Sequence, residues 1–365
     1  MSTTSQKDNI EYYKPVNILI TGGAGFIGRA VANYLVNKYN YKIIVVDILD
    51  YCSAVKHLDK RVLFIRGDVC NMSQMNDIVK KYSIDTIMHF AAQTHVDNSF
   101  NNSIEFTKTN VLGTHILAQV AVDNKVKRFI HVSTDEVYGE QSINDITGCI
   151  EKATLNPTNP YAATKCGAEF IIKSYQKSYN LPAIITRSNN VYGGGQYPEK
   201  LIPCFIMKLI HSIETIPLHI YPSLPIHGSG KSLRNFIYID DEVDCFDKIL
   251  HYGKINNIYN ISGNSEYSVN EIADILAKKF NTQHDNTHVA DRNFNDQRYF
   301  IDSTNLKMLY YSIGEKLNLT PFDEGIDKTI EWYEQYGDST WHTKDKDKEK
   351  EKTDNCSLFK LDLNE

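Results

Sequence analysis

The sequence predicts an α/β fold in which a doubly wound parallel sheet is joined to a smaller C-terminal α/β subdomain. The 365 residues are 42% hydrophobic and 23% charged, which is typical of a globular chain with one large domain or two smaller ones. Short apolar β-type runs alternate with longer amphipathic stretches, as in βαβ units. The runs are apolar throughout, so both faces of the sheet are expected to be buried.

Six such runs supply the strands of the main sheet, and each is followed by a helix-like segment. They are VNILIT from Val16, IIVVD from Ile43, VLFIRG from Val62, TIMHFAA from Thr86, RFIHVST from Arg128 and PAIITR from Pro182.

The pattern changes near residue 191, where three consecutive glycines and several prolines interrupt the alternation. We predict a polar leader over 1–14, the main domain over 15–190, and a substrate-binding subdomain over 191–234 and 263–336. Residues 235–262 are expected to return to the main sheet through Asn235–Asp241 and Ile258–Ser262. The run KDKDKEKEK from Lys344 has no apolar face, so 337–365 is predicted to be a disordered, charged tail.

The amino-acid composition excludes some classes of binding partner and indicates the cellular compartment. The chain has 45 acidic and 39 basic side chains, a net charge of -6, so no global positive field is available to hold a nucleic acid. Its seven cysteines are scattered and include no Cys-x-x-Cys pair, which predicts reduced thiols and no metal site. No run is long and apolar enough to cross a membrane, and we expect a cytoplasmic protein without membrane association.

A glycine motif follows the first predicted strand. Gly22, Gly25 and Gly28 lie between that strand and a helical stretch, where glycine lets the backbone approach a pyrophosphate at a helix N-terminus. Asp47 ends the next strand 19 residues after Gly28, the position of a carboxylate that binds the adenosine ribose. The alternative is a glycine turn capped by an aspartate. The pattern predicts a Rossmann-type domain that binds NAD rather than NADP, and Asp68 is a candidate contact for the adenine.

Two downstream segments carry candidate catalytic residues. Tyr161 and Lys165 are four apart, so they share one face of a predicted helix, and a nearby ammonium would favour the phenolate of Tyr161. Asp135 and Glu136 end the fifth predicted strand, where two carboxyl groups can work as an acid and a base. Taken singly, the first pair could be surface residues of a helix and the second pair solvated turn residues.

With the glycine motif, these segments resemble the extended short-chain dehydrogenase/reductase family, which keeps a Ser or Thr at the position of Thr134. The run Ser133–Gly139 (STDEVYG) is similar to that of the nucleotide-sugar 4,6-dehydratases within it. The resemblance covers about Val16 to Tyr336, and further segments match in order: HFAAQTHVD from His89, TNVLGT from Thr109, NPYAATK from Asn159, YPEKLIP from Tyr197, LRNFIYIDD from Leu233 and DRNFNDQRYFID from Asp291.

The resemblance implies that water is eliminated from an NDP-glucose to give the 4-keto-6-deoxy sugar, in deoxysugar biosynthesis of the rhamnose type. C5–H becomes acidic only once C4 is a ketone, so oxidation has to come first. Tyr161 would deprotonate the 4-hydroxyl, Glu136 would take the C5 proton, and Asp135 would protonate the leaving C6 hydroxyl. NAD would be regenerated in each turnover and stay bound through purification.

The implied site residues fall into three groups. The catalytic residues are Thr134, Asp135, Glu136, Tyr161 and Lys165. The cofactor contacts are Gly22, Gly25, Phe26, Ile27, Gly28, Asp47, Asp68, Val69, Ala91, Ala92, Thr109, Tyr161 and Lys165. The substrate contacts are Thr94, Thr134, Asn190, Glu199, Lys200 and Leu201, with Arg234 and Arg292 for the diphosphate.

The sequence leaves alternatives for the nucleotide base of the substrate and for the reaction that is catalysed. Pro225–Gly228, with His227, and the segment Arg292–Arg298 resemble the plant-type enzymes that use UDP-glucose more than the bacterial enzymes that use dTDP-glucose, so UDP-glucose is preferred. Asn293 departs from the resemblance, because it replaces the usual proline. A nucleotide-sugar 4-epimerase or decarboxylase would share Tyr161 and Lys165, and an NAD-sensing scaffold would share only the glycine motif. Family analogy also suggests a homodimer formed by the helices after Asn110 and Tyr161.

Overall fold

The computed structural model describes residues 11–215, 221–290 and 295–341 and confirms the doubly wound α/β fold. In these residues three short helical segments accompany the main elements, a 3₁₀ turn at Val55–His57, a π-helical stretch at Thr107–Leu112 and a second 3₁₀ turn at Asp135–Tyr138. The elements are β1 (Asn17–Thr21), α1 (Phe26–Lys38), β2 (Lys42–Asp47), β3 (Leu63–Arg66), α2 (Met72–Lys81), β4 (Thr86–His89), α3 (Val96–Asn101), α4 (Ser103–Phe106), α5 (Gly113–Asp123), β5 (Arg128–Thr134), α6 (Pro160–Tyr179), β6 (Ala183–Ser188), β7 (Asn190–Tyr192), α7 (Leu201–Thr215), β8 (Ser223–His227), β9 (Leu233–Tyr238), α8 (Ile239–Tyr252), β10 (Ile258–Ile261), β11 (Glu266–Ser268), α9 (Val269–Lys279), β12 (Asp285–Val289), α10 (Thr304–Ser312) and α11 (Phe322–Trp341).

Seven parallel strands form the main sheet in the order β3-β2-β1-β4-β5-β6-β10. The chain winds outward from β1 to β3 and then returns to β4, so the direction of winding switches between β1 and β4. Ligands of doubly wound sheets bind at the carboxyl ends of the strands beside such a switch. The fold therefore places the candidate site above Thr21 and His89, which face each other in register.

The side chains of the central strands alternate between two apolar cores. Ile18 and Ile20 of β1 belong to one core, and Leu19 between them belongs to the other. All three are fully buried. Because successive side chains of a strand point to opposite faces, a run without polar residues is what a sheet covered by helices on both sides requires.

The prediction for residues 235–262 was half wrong. β10 joins the edge of the main sheet beside β6, as expected, but β9 pairs with β7 and β11 in a separate three-stranded sheet. The physical reason is that β10 already occupies the free edge of β6. β7 begins two residues after β6 ends and is the strand that β9 pairs with. α8 then returns to the main domain, where it packs against α1 through a Lys38–Asp247 ion pair of 2.8 Å.

Three other segments differ from the predicted boundaries. Tyr13, in the predicted leader, is hydrogen-bonded to Thr86 at 2.7 Å, so residues 11–14 contact the main domain. α10 packs against β10 and α8, on the main-domain side. α11 continues to Trp341 and includes the first five residues assigned to the tail; the rest of the tail, from 342, lies outside the described residues, as do 1–10.

Candidate functional site

A cleft of about 950 Å³ opens at the carboxyl ends of the main strands and extends to the start of α7. It brings together predicted residues from nearly the whole main domain and from the loop before α7. The predicted residues that line it are Gly22, Gly25, Phe26, Ile27, Gly28, Asp47, Asp68, Val69, Ala91, Ala92, Thr94, Thr109, Thr134, Asp135, Glu136, Tyr161, Lys165, Asn190, Glu199 and Lys200.

The turn from β1 to α1 forms a cradle in which side chains would not fit. Gly22 has a φ of +68°, and a Cβ there would lie 2.5 Å from the backbone nitrogen of Ala91. A Cβ on Gly28 would lie 2.6 Å from the carbonyl oxygen of Gly22. α1 begins directly after Gly25, so the unpaired amides of its first turn face the cleft and attract an anionic group.

Asp47 ties this cradle to the loop after β2. Its Oδ2 accepts a hydrogen bond from the amide of Ala24 at 3.0 Å, and its Oδ1 accepts from Leu49 at 2.8 Å and from the hydroxyl of Ser53 at 2.9 Å. A carboxylate has about four acceptor positions, so one is left for a hydroxyl in the cleft. Asp68 accepts from the amide of Cys70 at 2.8 Å. Both aspartates line the cleft, and their contacts with an adenosine stay a prediction.

Tyr161 and Lys165 lie on one face of α6, as predicted, but the ammonium does not pair with the phenol. Lys165 donates to the carbonyl of Val132 at 2.6 Å, and burial lowers the pKa of this lysine to about 8. Burial and the nearby charges of Glu136 and Asp135 raise the pKa of Tyr161, against a hydrogen bond with Thr134 that lowers it. The hydrogen bond of Lys165 goes to Val132, so stabilisation of the phenolate by this ammonium stays a prediction.

Asp135 and Glu136 begin a short 3₁₀ turn, Asp135–Tyr138, that follows β5 directly. Asp135 is buried; its Oδ1 accepts from the hydroxyl of Thr134 at 3.1 Å and its Oδ2 from the amide of Asn189 at 2.5 Å. Burial and the neighbouring Glu136 raise the pKa of Asp135 to about 7. A carboxyl group that is partly protonated at neutral pH can serve as a general acid.

Glu136 lies on the other side of the turn, half-buried. Its Oε2 accepts from the side-chain amide of Asn159 at 2.8 Å and lies 3.4 Å from the hydroxyl of Tyr299. Burial raises the pKa of Glu136, while Asn159 and the charge of Arg234 lower it. The two carboxyls thus have different partners, Thr134 and Asn189 for Asp135, and Asn159 for Glu136, which suits separate roles.

The residues that hold these carboxyls are not among the site residues that the sequence predicts. Asn189 follows β6, and Asn159 caps α6 by accepting from the amide of Ala162 at 2.8 Å. The dipeptide Asn159–Pro160 is a helix-start signal that marks this cap. Tyr299 reaches Glu136 across 163 positions of sequence and also donates to Asp296, a contact that no local pattern indicates.

Some of the predicted substrate residues line the cleft and others do not. Lys200 donates to the carbonyl of Thr94 at 3.1 Å, and Glu199 accepts from Tyr51 at 2.7 Å, so both link the loop before α7 to the main domain. Leu201 packs against the apolar core instead of lining the cleft. Arg234 donates to the carbonyl of Asp296 at 2.9 Å behind the cleft wall. Arg292 lies outside the described residues.

Two further features concern the described residues alone. No group of three or more His, Cys, Asp or Glu side chains in 11–215, 221–290 and 295–341 is arranged to hold a metal ion. Over the same ranges, no helix is long and apolar enough to span a membrane.

The chain is similar to known sugar-nucleotide dehydratases. Residues 19–340 match the family model for GDP-mannose 4,6 dehydratase. A trifunctional UDP-glucose 4,6-dehydratase/UDP-4-keto-6-deoxy-D-glucose 3,5-epimerase/UDP-4-keto-L-rhamnose-reductase of Arabidopsis thaliana is 48% identical over 88% of the chain and 48% of its own length. The dTDP-D-glucose 4,6-dehydratase of Homo sapiens is 42% identical over 87% of the chain and 90% of its length. The chain therefore spans about half the length of the plant relative.

A solved structure has a similar fold. The dTDP-glucose 4,6-dehydratase of Streptomyces venezuelae, solved with NAD and TYD bound, superposes with a TM-score of 0.80 at 35% identity and covers 88% of this chain and 98% of its own.

Proposed function

Because this chain belongs to the GDP-mannose 4,6-dehydratase family, we propose that it is an NDP-glucose 4,6-dehydratase of deoxysugar biosynthesis. The observation that carries the proposal is the pair Asp135 and Glu136, two adjacent carboxyls with separate partners beside Tyr161 in one cleft. An epimerase that only oxidises and reduces C4 does not require such a pair.

NAD is the cofactor that fits the cradle. The backbone around Gly22 and Gly28 leaves room for a pyrophosphate and for no side chain, and Asp47 has an acceptor position for a ribose hydroxyl while opposing a 2′-phosphate. When bound, NAD supplies a positively charged ring that accepts hydride from C4 and later returns it to C6. Lys165 and Tyr161, which line the same cleft, would hold the nicotinamide ribose.

The protein residues would move the protons. Tyr161 takes the proton of the 4-hydroxyl, oriented by Thr134. Glu136 removes the C5 proton once C4 is a ketone, because the carbonyl can then accept the electron pair of the C5–H bond. Asp135 protonates the C6 hydroxyl, and water leaves. Glu136 finally returns a proton to C5 as C6 is reduced.

We expect Gly28→Ala to reduce NAD retention. The added Cβ would press on the carbonyl of Gly22, which is backbone and cannot turn away. Overpacking of this kind costs about 1–3 kcal/mol, equivalent to roughly 5- to 150-fold weaker binding. The measurement is the NAD released from purified, denatured protein, quantified by mass spectrometry. Gly167→Ala on α6 is the control, since its Cβ would meet only a side chain, that of Val111, at 3.3 Å. Undiminished NAD in Gly28→Ala would contradict the assignment of the cradle.

We also propose UDP-glucose as the preferred substrate. His227 stands in the Pro-Ile-x-Gly loop at the end of β8, and the trifunctional plant relative is more similar to this chain than the human one. The test is competition: the protein is given UDP-glucose and dTDP-glucose together, and the two products are separated by mass. Faster loss of water from dTDP-glucose would overturn the preference for UDP.

A homodimer and a cytoplasmic location complete the proposal. Three apolar side chains on the helical segments that precede and face α5 are exposed, namely Ile104 (70%), Leu112 (47%) and Phe170 (59%). Their exposure supports contact with a second copy of the chain. Light scattering of the purified protein measures the assembly. The scattered cysteines, without a Cys-x-x-Cys pair, support a reducing compartment.

A further inference from the structure

Arg29 is a buried cation that the proposed mechanism does not use. It lies in α1, one residue after Gly28, and is 5% exposed. Its Nη2 donates to the carbonyl oxygen of Gly195 at 2.8 Å, whereas its Nη1 has no hydrogen-bond partner. Within the part of the chain that the structure describes, this carbonyl is the only acceptor that the side chain has. Burial of a cation without a carboxylate partner is costly, so the one contact that Arg29 makes is significant.

Gly195 belongs to the segment 193–200, which joins β7 to α7 and which we call the 193–200 loop. The loop begins with three consecutive glycines. Glycine loses more conformational freedom on folding than any other residue, so this part of the loop keeps one conformation only if other groups hold it. The second half of the loop lines the cleft through Gln196, Tyr197, Glu199 and Lys200.

Two buried side chains hold consecutive carbonyls of this loop. Arg29 donates to the carbonyl of Gly195, and the hydroxyl of Tyr333 in α11 donates to the carbonyl of Gln196. Gln196 in turn donates from its side chain to the carbonyl of Val191 at 2.8 Å. Because Arg29 directly follows the last glycine of the cradle, the first of these bonds connects the cradle to the wall on which the substrate is expected to bind.

The glycines of the loop fit against these side chains sterically. Gly195 has a φ of +85°, and a Cβ there would overlap Nη2 of Arg29. A Cβ on Gly194 would overlap the ring of Trp332 in α11. The backbone of the loop therefore packs directly against the guanidinium and the indole ring.

We propose that Arg29 is a positioning residue for the sugar nucleotide: it holds the 193–200 loop against the cofactor domain, so that Glu199 and Lys200 keep the positions in which they meet the substrate. The inference rests on the proposed function, because it concerns the substrate of that reaction. The hydrogen bond of Arg29 goes to the loop and not to the cradle. Loss of this side chain should therefore weaken substrate binding and leave the retention of NAD unchanged.

Arg29→Met tests this role, since methionine is also long and unbranched but has no donor and no charge. The substitution removes an unpaired buried charge, so it is not expected to unfold the protein. We expect KM for the NDP-glucose that the wild type dehydrates to rise about 10-fold, with kcat changed by less than about twofold. The NAD that copurifies should equal that of the wild type. Arg29→Lys, which keeps the charge and a donor, should recover part of the loss in KM.

Arg128→Met is the matched control. Arg128 is 7% exposed, and its Nη1 donates to the carbonyl of Leu250 at 2.6 Å, so it is also a buried guanidinium held by a backbone carbonyl. It lies at the start of β5, at the opposite end of that strand from Thr134 and the cleft. Arg128→Met should keep the wild-type KM, and an equal rise in KM in this variant would overturn the inference.

Hydrogen–deuterium exchange gives a readout that is independent of turnover. In Arg29→Met the amides of 193–200 should exchange faster, while those of 22–28 should keep the wild-type rate. Unchanged exchange in the loop, or an unchanged KM, would overturn the inference. A loss of NAD in parallel with the rise in KM would also overturn it, because Arg29 would then support the cradle.

Gly195→Ala tests the same contact from the loop if Arg29→Met does not fold. Its Cβ would displace the guanidinium, so the same rise in KM is expected, and an unchanged KM would overturn the inference. Failure of the wild type to release water from any NDP-glucose would instead reject the proposed function. The two failures are distinguishable, because the exchange measurement does not depend on the reaction.

Discussion

Glu136→Gln should oxidise the sugar at C4 and then stop. Loss of the base leaves C5–H without an acceptor, so we expect water release to fall by about 10²- to 10⁴-fold, the usual contribution of a general base. Oxidation should persist, because the charge of Glu136 is one of the causes that raise the pKa of Tyr161, and its removal favours the phenolate. Glutamine can still accept from Asn159, which preserves the turn.

The measurement follows reduced cofactor and product together in a single turnover. Reduced cofactor should accumulate in Glu136→Gln, whereas in the wild type it should appear only briefly. Glu140→Gln is the control, because Glu140 is exposed and accepts from the backbone of Gln297, outside the cleft. Water release at the wild-type rate from Glu136→Gln would show that another group removes the C5 proton.

Tyr161→Phe should block the reaction one step earlier. The substitution removes only the hydroxyl, so the buried ring still packs against Phe106 and NAD should stay bound. Without a base for the 4-hydroxyl, we expect C4 oxidation to slow by about 10²- to 10⁴-fold. In the wild type the raised pKa of Tyr161 further implies that C4 oxidation accelerates as the pH increases, and this acceleration should vanish in the variant.

Stopped-flow absorbance of the reduced cofactor measures this step. Tyr179→Phe, at the exposed end of the same helix, should behave as the wild type. Normal cofactor reduction by Tyr161→Phe would transfer the role of base to another group. The two variants stop the reaction at different steps. Tyr161→Phe should give neither reduced cofactor nor product, whereas Glu136→Gln should give reduced cofactor but no product.

The sequence predicted the parts of the site that depend on local spacing. Gly22, Gly25 and Gly28 are fixed by one turn between a strand and a helix, and Tyr161 and Lys165 by one turn of α6. Each of these patterns lies within a few residues, where backbone geometry leaves few alternatives.

Contacts between distant segments could not be predicted in the same way. β9 has the apolar run of a main-sheet strand, and only the competition for the edge of β6 excludes it. Tyr299 lies near Glu136, and Arg234 contacts Asp296 and Tyr299, although at least 62 positions of sequence separate these partners. The pairing of Lys165 with the carbonyl of Val132 likewise depends on the depth of the cleft, which spacing along a helix does not specify.

The transfer of hydrogen from C4 to C6 tests the central claim most directly. The purified protein is incubated with UDP-glucose deuterated at C4, without added NAD, and the product is examined by mass spectrometry and NMR. The account predicts a product lighter by one water molecule that carries the deuterium at C6, because the bound cofactor accepts and returns the same hydride. Deuterium at C4 of a sugar of unchanged mass whose C4 configuration is inverted would identify an epimerase and contradict the dehydratase assignment.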